Sequence, residues 1–145
     1  MSRPPPHPRR GYEPVAHEWA VDDPRAMPRV ATFFEESPLG VEVLGWACGV
    51  VAGLGPATIR MTRSQVALRR RVAFAWLWRP GLWLPRAEVP VVLSVGTHHP
   101  LDSSRFKQVL EPYPQRWIHH LEVHAATELD AEAAGWLAVG YEDAR

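Results

Sequence analysis

The chain has 145 residues, a length that suits one domain with a modest core. Lys plus Arg total 16 and Asp plus Glu total 16, and this zero formal net charge argues against a generic polyanion binder. Hydrophobic residues make up 46%, which excludes wholesale disorder, and no apolar run approaches the ~20 residues that span a bilayer.

The charges are unevenly placed. No acid lies between Glu42 and Glu88, an interval that holds Arg60, Arg63, Arg69, Arg70, Arg71, Arg79 and Arg86. From Glu111 onward the chain is acidic, opposed only by Arg116 and Arg145. Cys48 is the single cysteine, so no internal disulfide is expected, and its apolar surroundings mark a small core residue. The opening "MSRPPPHPRRGYEP" has no apolar segment of the kind a secretory signal needs. The expectation is a cytoplasmic protein.

Residues 1–28 are proline-rich and lack apolar periodicity, and are expected to be an irregular or disordered arm. A single α+β domain over 29–145 follows. "RVATFFEES" suits one or two helical turns anchored by Phe33 and Phe34. Ser37 is a good N-cap and Pro38 suits the first helical position, where its missing N–H costs nothing. The apolar run from Leu39 to Ala52 is therefore a helix, ended by Gly53, Gly55 and Pro56. Gly40, Gly45 and Gly49 within it suggest a close approach to a sheet.

After Pro56 the period becomes two. "ATIRMT", "SQVALR" and "VAFAWLW" read as strands, the last with Val72, Phe74, Trp76 and Trp78 on one face. Arg69 to Arg71 is expected to be a hairpin turn. "RPGLWLPRAEVP" is a connection in which Trp83 and Leu84 cover a core edge. "VPVVLSVGT" is the next strand. Residues 98–115 read as a long linker, and therefore a functional loop, with a short helix over 103–110. "RWIHHLEVH" is the last strand, and Asp130 caps a helix from Ala131 to about Asp143. The expected fold is α+β: a mainly antiparallel sheet of four to five strands, packed by the helix near 38–52 and the C-terminal helix.

On the last strand, parity puts Trp117, His119, Leu121 and Val123 on one face and Ile118, His120, Glu122 and His124 on the other. The first set is apolar, so His119 should face the core and bond a carbonyl or side chain. The second set reads as a solvated polar face. Alternate positions lie ~6.8 Å apart, so His120, Glu122 and His124 span a distance that one ion, with His98 or His99, would bridge. The cluster matches no metal-binding motif, and no metal and no cofactor is expected. Nucleophile-elbow, P-loop and dinucleotide-binding signatures do not occur.

The words "TFFEES", "LGPATI", "ALRRRVAFAWLWRP" and above all "SRFKQVLEPYPQRWIHHLEVHAATELDAEAAGWLAVGYEDA" resemble a small bacterial and archaeal family, domain of unknown function 5655. The resemblance covers roughly 31–144. It implies a compact α+β domain and supplies no catalytic residue. His119 matches the histidine of the family's comparable strand.

Three functions compete. The leading one is a binding module for a small anionic ligand or a protein partner near the long loop. Its candidate residues are Arg105, Arg116 and His120, with His98 and His119 beside them. The second is a small enzyme using histidine as general acid or base, whose ordinary pKa lies near neutrality. The third is a nucleic-acid-associated module built on the Arg-rich middle and Trp76, Trp78 and Trp83; zero net charge weakens it. No membrane partner is expected, and the oligomeric state is left open.

Overall fold

The computed structural model describes residues 17–35, 37–80 and 91–145. In chain order these form β1 (His17–Ala20), α1 (Ala26–Val30), a 3-10 turn (Ala31–Phe34) and α2 (Pro38–Leu54). Then come β2 (Thr58–Met61), β3 (Val66–Arg69), β4 (Ala73–Trp78), β5 (Val91–Thr97), β6 (Gln108–Tyr113) and β7 (Arg116–Val123). A 3-10 turn (Ala126–Glu128) leads into α3 (Ala131–Asp143).

The strands form one seven-stranded sheet in the order β1-β2-β3-β4-β5-β7-β6, with every pairing antiparallel. The α+β class and antiparallel pairing agree with the sequence pattern; four to five strands was too few. One extra strand, β1, lies in the stretch expected to be an irregular arm. Its four residues are too few to show a period, yet Trp19 pairs with Ile59 and packs on the core. The other, β6, replaces the helix expected over 103–110. Its burial is mostly partial or exposed, because it is an edge strand. An edge strand needs no apolar face, so periodicity could not reveal it. Residues 1–16 and 81–90, the latter with Trp83 and Leu84, lie outside the described residues.

Both main helices start as their caps dictate. Ser37 Oγ accepts from Gly40 N–H at 3.0 Å, and Asp130 Oδ1 accepts from Ala133 N–H at 3.0 Å. Both helices pack on one face of the sheet, where Ile59, Leu68, Leu77, Leu93, Val95, Leu121 and Leu137 are buried together. Of the α2 glycines only Gly40 makes a close approach: a Cβ there would overlap the Phe34 ring, whereas Gly45, Gly49 and Gly53 have open space.

A register shift at Leu68/Arg69 breaks the expected face of β4. Phe74 is buried and meets Tyr141 of α3 edge-on at 5.7 Å, on the helix side. Trp76 pairs with Ser94, and Trp78 with Val92, on the opposite side. The bulge re-aims one aromatic side chain and leaves two tryptophans on the face away from α2 and α3. Val72 precedes the strand and is exposed.

Candidate functional site

The pairings define a row of side chains across the face away from α2 and α3. Glu18 opposes Arg60, Arg60 opposes Ala67, and Ala67 opposes Trp76. Trp76 then opposes Ser94, Ser94 opposes His120, and His120 opposes Gln108. Opposed residues share a face, so the row is largely polar and aromatic where the other face is mostly apolar.

His119 and His120 are both fully buried, on opposite sides of β7. His119 faces the helices, as parity predicts. Its Nδ1–H donates to Val95 O at 3.0 Å and its Nε2 accepts from Leu101 N–H at 2.9 Å. Both ring nitrogens are used, so His119 ties the 98–107 segment to the core. Burial lowers its pKa, opposed by the Val95 hydrogen bond.

His120 does not lie on a solvated face; that expectation is corrected. Ser94 and Trp78 pack against it on the same side, and all three are buried. Trp78 Nε1–H donates to Ser94 Oγ at 3.3 Å, and Ser94 Oγ lies 2.6 Å from His120 Nδ1. Trp78 stands edge-on to the ring at 6.2 Å. The far nitrogen, Nε2, is buried and bonded to nothing, and so is Oε1 of Gln108 directly across the strand pair. Burial first, then neighbouring His119, pushes the His120 pKa down to about 4, so the ring is neutral at pH 7.

Arg116 shares this face. Its Nη2–H donates to Ala73 O at 2.8 Å, and its guanidinium lies 5.5 Å from the Trp76 ring centroid. To get there it crosses β5 at Gly96, where a Cβ would stand 2.7 Å from Nη2. Glycine at 96 is therefore the slot that admits the side chain. Arg116 is half-buried and forms no ion pair among the described residues. Arg69 pairs with Ala73, the residue whose carbonyl receives Arg116, and likewise forms no ion pair among the described residues.

The other candidates lie elsewhere. Arg105 is held by Asp130 at 3.1 Å, Glu132 at 2.8 Å and Glu128 O at 2.7 Å, and it lies over Trp136. The Glu132 hydrogen bond is the main cause holding its guanidinium above its ordinary pKa. Two carboxylates already neutralise it. His98 donates its backbone N–H to Asp143 at 2.7 Å, at the other end of α3. Arg105 and His98 thus mark the two ends of a 13-residue helix, ~20 Å long, and do not converge. Of the five candidates, Arg116 and His120 share a face.

His124 and Glu122 approach at 3.8 Å, but among the described residues no group of three or more His, Cys, Asp or Glu is arranged to hold a metal ion. A surface groove of about 360 Å³ runs past Arg105, Lys107, Leu121, Glu122, His124 and Glu128. Its charges are of both signs, which gives it no preference for an anion. Cys48 is buried, and burial pushes its thiol up to about 12, so it is inert. No helix among the described residues is long and apolar enough to cross a membrane.

Ser94, Gln108 and Gly96 were not singled out from the sequence, whereas Trp76 was, as a stacking residue of the nucleic-acid reading. Ser94 carried a signal: a lone hydroxyl inside an apolar strand must be bonded to something. Gln108 carried none.

A seven-stranded antiparallel sheet, with helices on one face and a polar-aromatic row on the other, defines a two-layer α+β domain. The chain belongs to the family described as domain of unknown function (DUF5655), whose model matches residues 49–144. The match begins inside α2, so "TFFEES" lies outside it. No curated protein and no solved structure matches the chain.

Proposed function

We propose that the protein is a binding module for a small anion-bearing ligand, taken up on the face of the sheet away from α2 and α3, beside Arg116 and Trp76. The observation that carries this is the half-buried Arg116 cation, which has no carboxylate partner among the described residues. A partly desolvated charge without a counter-charge is costly, and a bound anion removes that cost. Arg69 beside Ala73 adds a second cation to the same spot, and Arg60 lies two strands from Trp76. We place the module in the cytoplasm on the sequence alone.

The histidine-enzyme reading is weaker. General base catalysis works best when the pKa lies near the working pH. An imidazole pushed down to about 4 is a poor base at pH 7. Ser94 is buried in a central strand, so its hydroxyl serves to fix the His120 ring.

Titration calorimetry with inorganic phosphate at low salt tests the proposal. Saturable binding is expected. Arg116→Gln should weaken it by roughly tenfold, the ~1.4 kcal/mol of one charge-assisted hydrogen bond. Equal affinity in wild type and variant, or no binding to wild type, would overturn the reading.

A further inference from the structure

The fold sorts the arginines of the acid-free interval between Glu42 and Glu88 into two groups. Some serve the structure. Arg70 Nη1–H donates to Tyr141 O at 3.1 Å and its guanidinium lies 4.1 Å over the Tyr141 ring. Arg79 Nη1–H donates to Phe33 O at 3.0 Å. Arg63 and Arg71 are exposed beyond the strand ends. Arg60 and Arg69 differ from all of these. Both are half-buried within strands, and among the described residues neither side chain makes a hydrogen bond or an ion pair.

The register brings these two arginines to Arg116. Thr58 opposes Arg69, so Arg60 is the diagonal neighbour of Arg69, with Cα atoms roughly 7–8 Å apart. Arg69 opposes Ala73, whose carbonyl receives the Arg116 guanidinium. Arg69 is thus flanked by Arg60 on one side and by the head of Arg116 on the other. Ala67 opposes both Arg60 and Trp76, so on this face β3 shows Ala67 and Arg69, and nothing bulky divides the cations. Glu18 opposes Arg60 from β1, but it is exposed, and no ion pair joins the two among the described residues.

We infer that the anion this face takes is a diphosphate, with Arg116 and Arg69 at one phosphate and Arg69 and Arg60 at the other. From Arg60 on β2 to the Arg116 head on β4 is two strand spacings, about 10 Å, which is longer than one phosphate can bridge without crowding the cations together. A lone phosphate also carries at most about two negative charges near neutrality, which leaves one of the three guanidiniums unanswered. A second, linked phosphate lengthens the anion and supplies the missing charge. Arginine suits the task, because its planar fork grips phosphate oxygens in pairs. Trp76, partly exposed beside Ala67, gives the organic part of a diphosphate ester an apolar wall. The inference rests on the anion reading above and adds the class of ligand.

Calorimetry with pyrophosphate and with inorganic phosphate, in one low-salt buffer, separates the two. Pyrophosphate should bind at least about tenfold more tightly, the value of one added charge-assisted contact. Arg60→Gln removes no hydrogen bond of the fold; it should erase most of that advantage and leave phosphate binding within about twofold of wild type. Arg63→Gln loses the same charge from the exposed turn between β2 and β3, and should keep the advantage. Equal affinity for the two anions in wild type would overturn the diphosphate assignment and leave the anion site standing. Equal losses in the two variants would overturn it as well, because net charge rather than a site would then draw the second phosphate. No binding of either anion would overturn both readings. A short oligothymidylate that binds more tightly than pyrophosphate, and loses affinity in Arg60→Gln, would overturn the assignment in favour of single-stranded nucleic acid.

Discussion

His119 and His120 are neighbours with different chemistry. Replacing His119 by alanine strands Leu101 N–H and Val95 O, both of which it bonds. The expected loss is about 1–3 kcal/mol, read from denaturant melts. His120→Ala opens a cavity and strands the Ser94 hydroxyl, so its cost should be similar rather than negligible. His120→Phe should cost less, because it removes the unbonded ring nitrogen and keeps the volume. If His120→Ala melts like wild type, the residue is not buried as described. The pH dependence follows from the same burial. The unfolded imidazole protonates near its ordinary 6.5, but the folded one holds out to about 4. Between those values the unfolded chain binds a proton that the folded chain refuses. Stability is therefore complete above pH 6.5 and falls as pH drops toward 4, by ~3 kcal/mol from this residue. His119 is shifted the same way and adds to the slope. Denaturant melts between pH 7 and 4.5 should show the decline, and His120→Phe should flatten it; an unchanged slope in the variant would assign the effect elsewhere.

At the scale of single elements, the glycines separate into those the packing uses and those it does not. Gly40 in α2 admits the Phe34 ring, so Gly40→Ala should destabilise by about 2 kcal/mol through overpacking. Gly45 and Gly49 are exposed and meet nothing. Alanine at either should raise stability by up to ~1 kcal/mol, since the helix gains propensity at no steric cost. Thermal melts of the three variants check the contrast, and a destabilised Gly45→Ala would contradict the open space. In β5, Gly96→Ala pushes against the end of a flexible arginine. The fold should lose little, ~1 kcal/mol or less, while phosphate binding falls as it does in Arg116→Gln. Unimpaired phosphate binding in Gly96→Ala would separate the slot from the site.

At the scale of the whole molecule, β1 and α1 show why a proline-rich terminus is not a spectator by composition alone. Val21, Ala26 and Val30 are buried, and β1 covers the outer edge of β2. Deleting residues 1–28 should therefore lower the melting temperature by several degrees, at roughly 2–4 °C for each kcal/mol lost in a domain near this size. A variant that melts with wild type would mean that β1 contributes no net stability. The Arg116 site has the same global origin. It needs a bulge in β4, a glycine in β5 and an arginine from β7 brought together by the order β4-β5-β7.

By itself the sequence determined what local chemistry dictates. Ser37-Pro38 and Asp130 set where the two long helices begin. Strand parity put His119 inside, and the change of period after Pro56 marked the sheet. It also carried the family resemblance, chiefly in the words after Ser103. Tertiary structure alone decided the strand count, because edge strands β1 and β6 bury too little on one face to leave a period. It decided the facing of Trp76 and Trp78, because a bulge shifts parity without altering residue type. It also decided that His120 is buried. Parity tells which side of a sheet a side chain takes; whether that side meets water depends on neighbours such as Ser94 and Trp78, which come from distant parts of the chain.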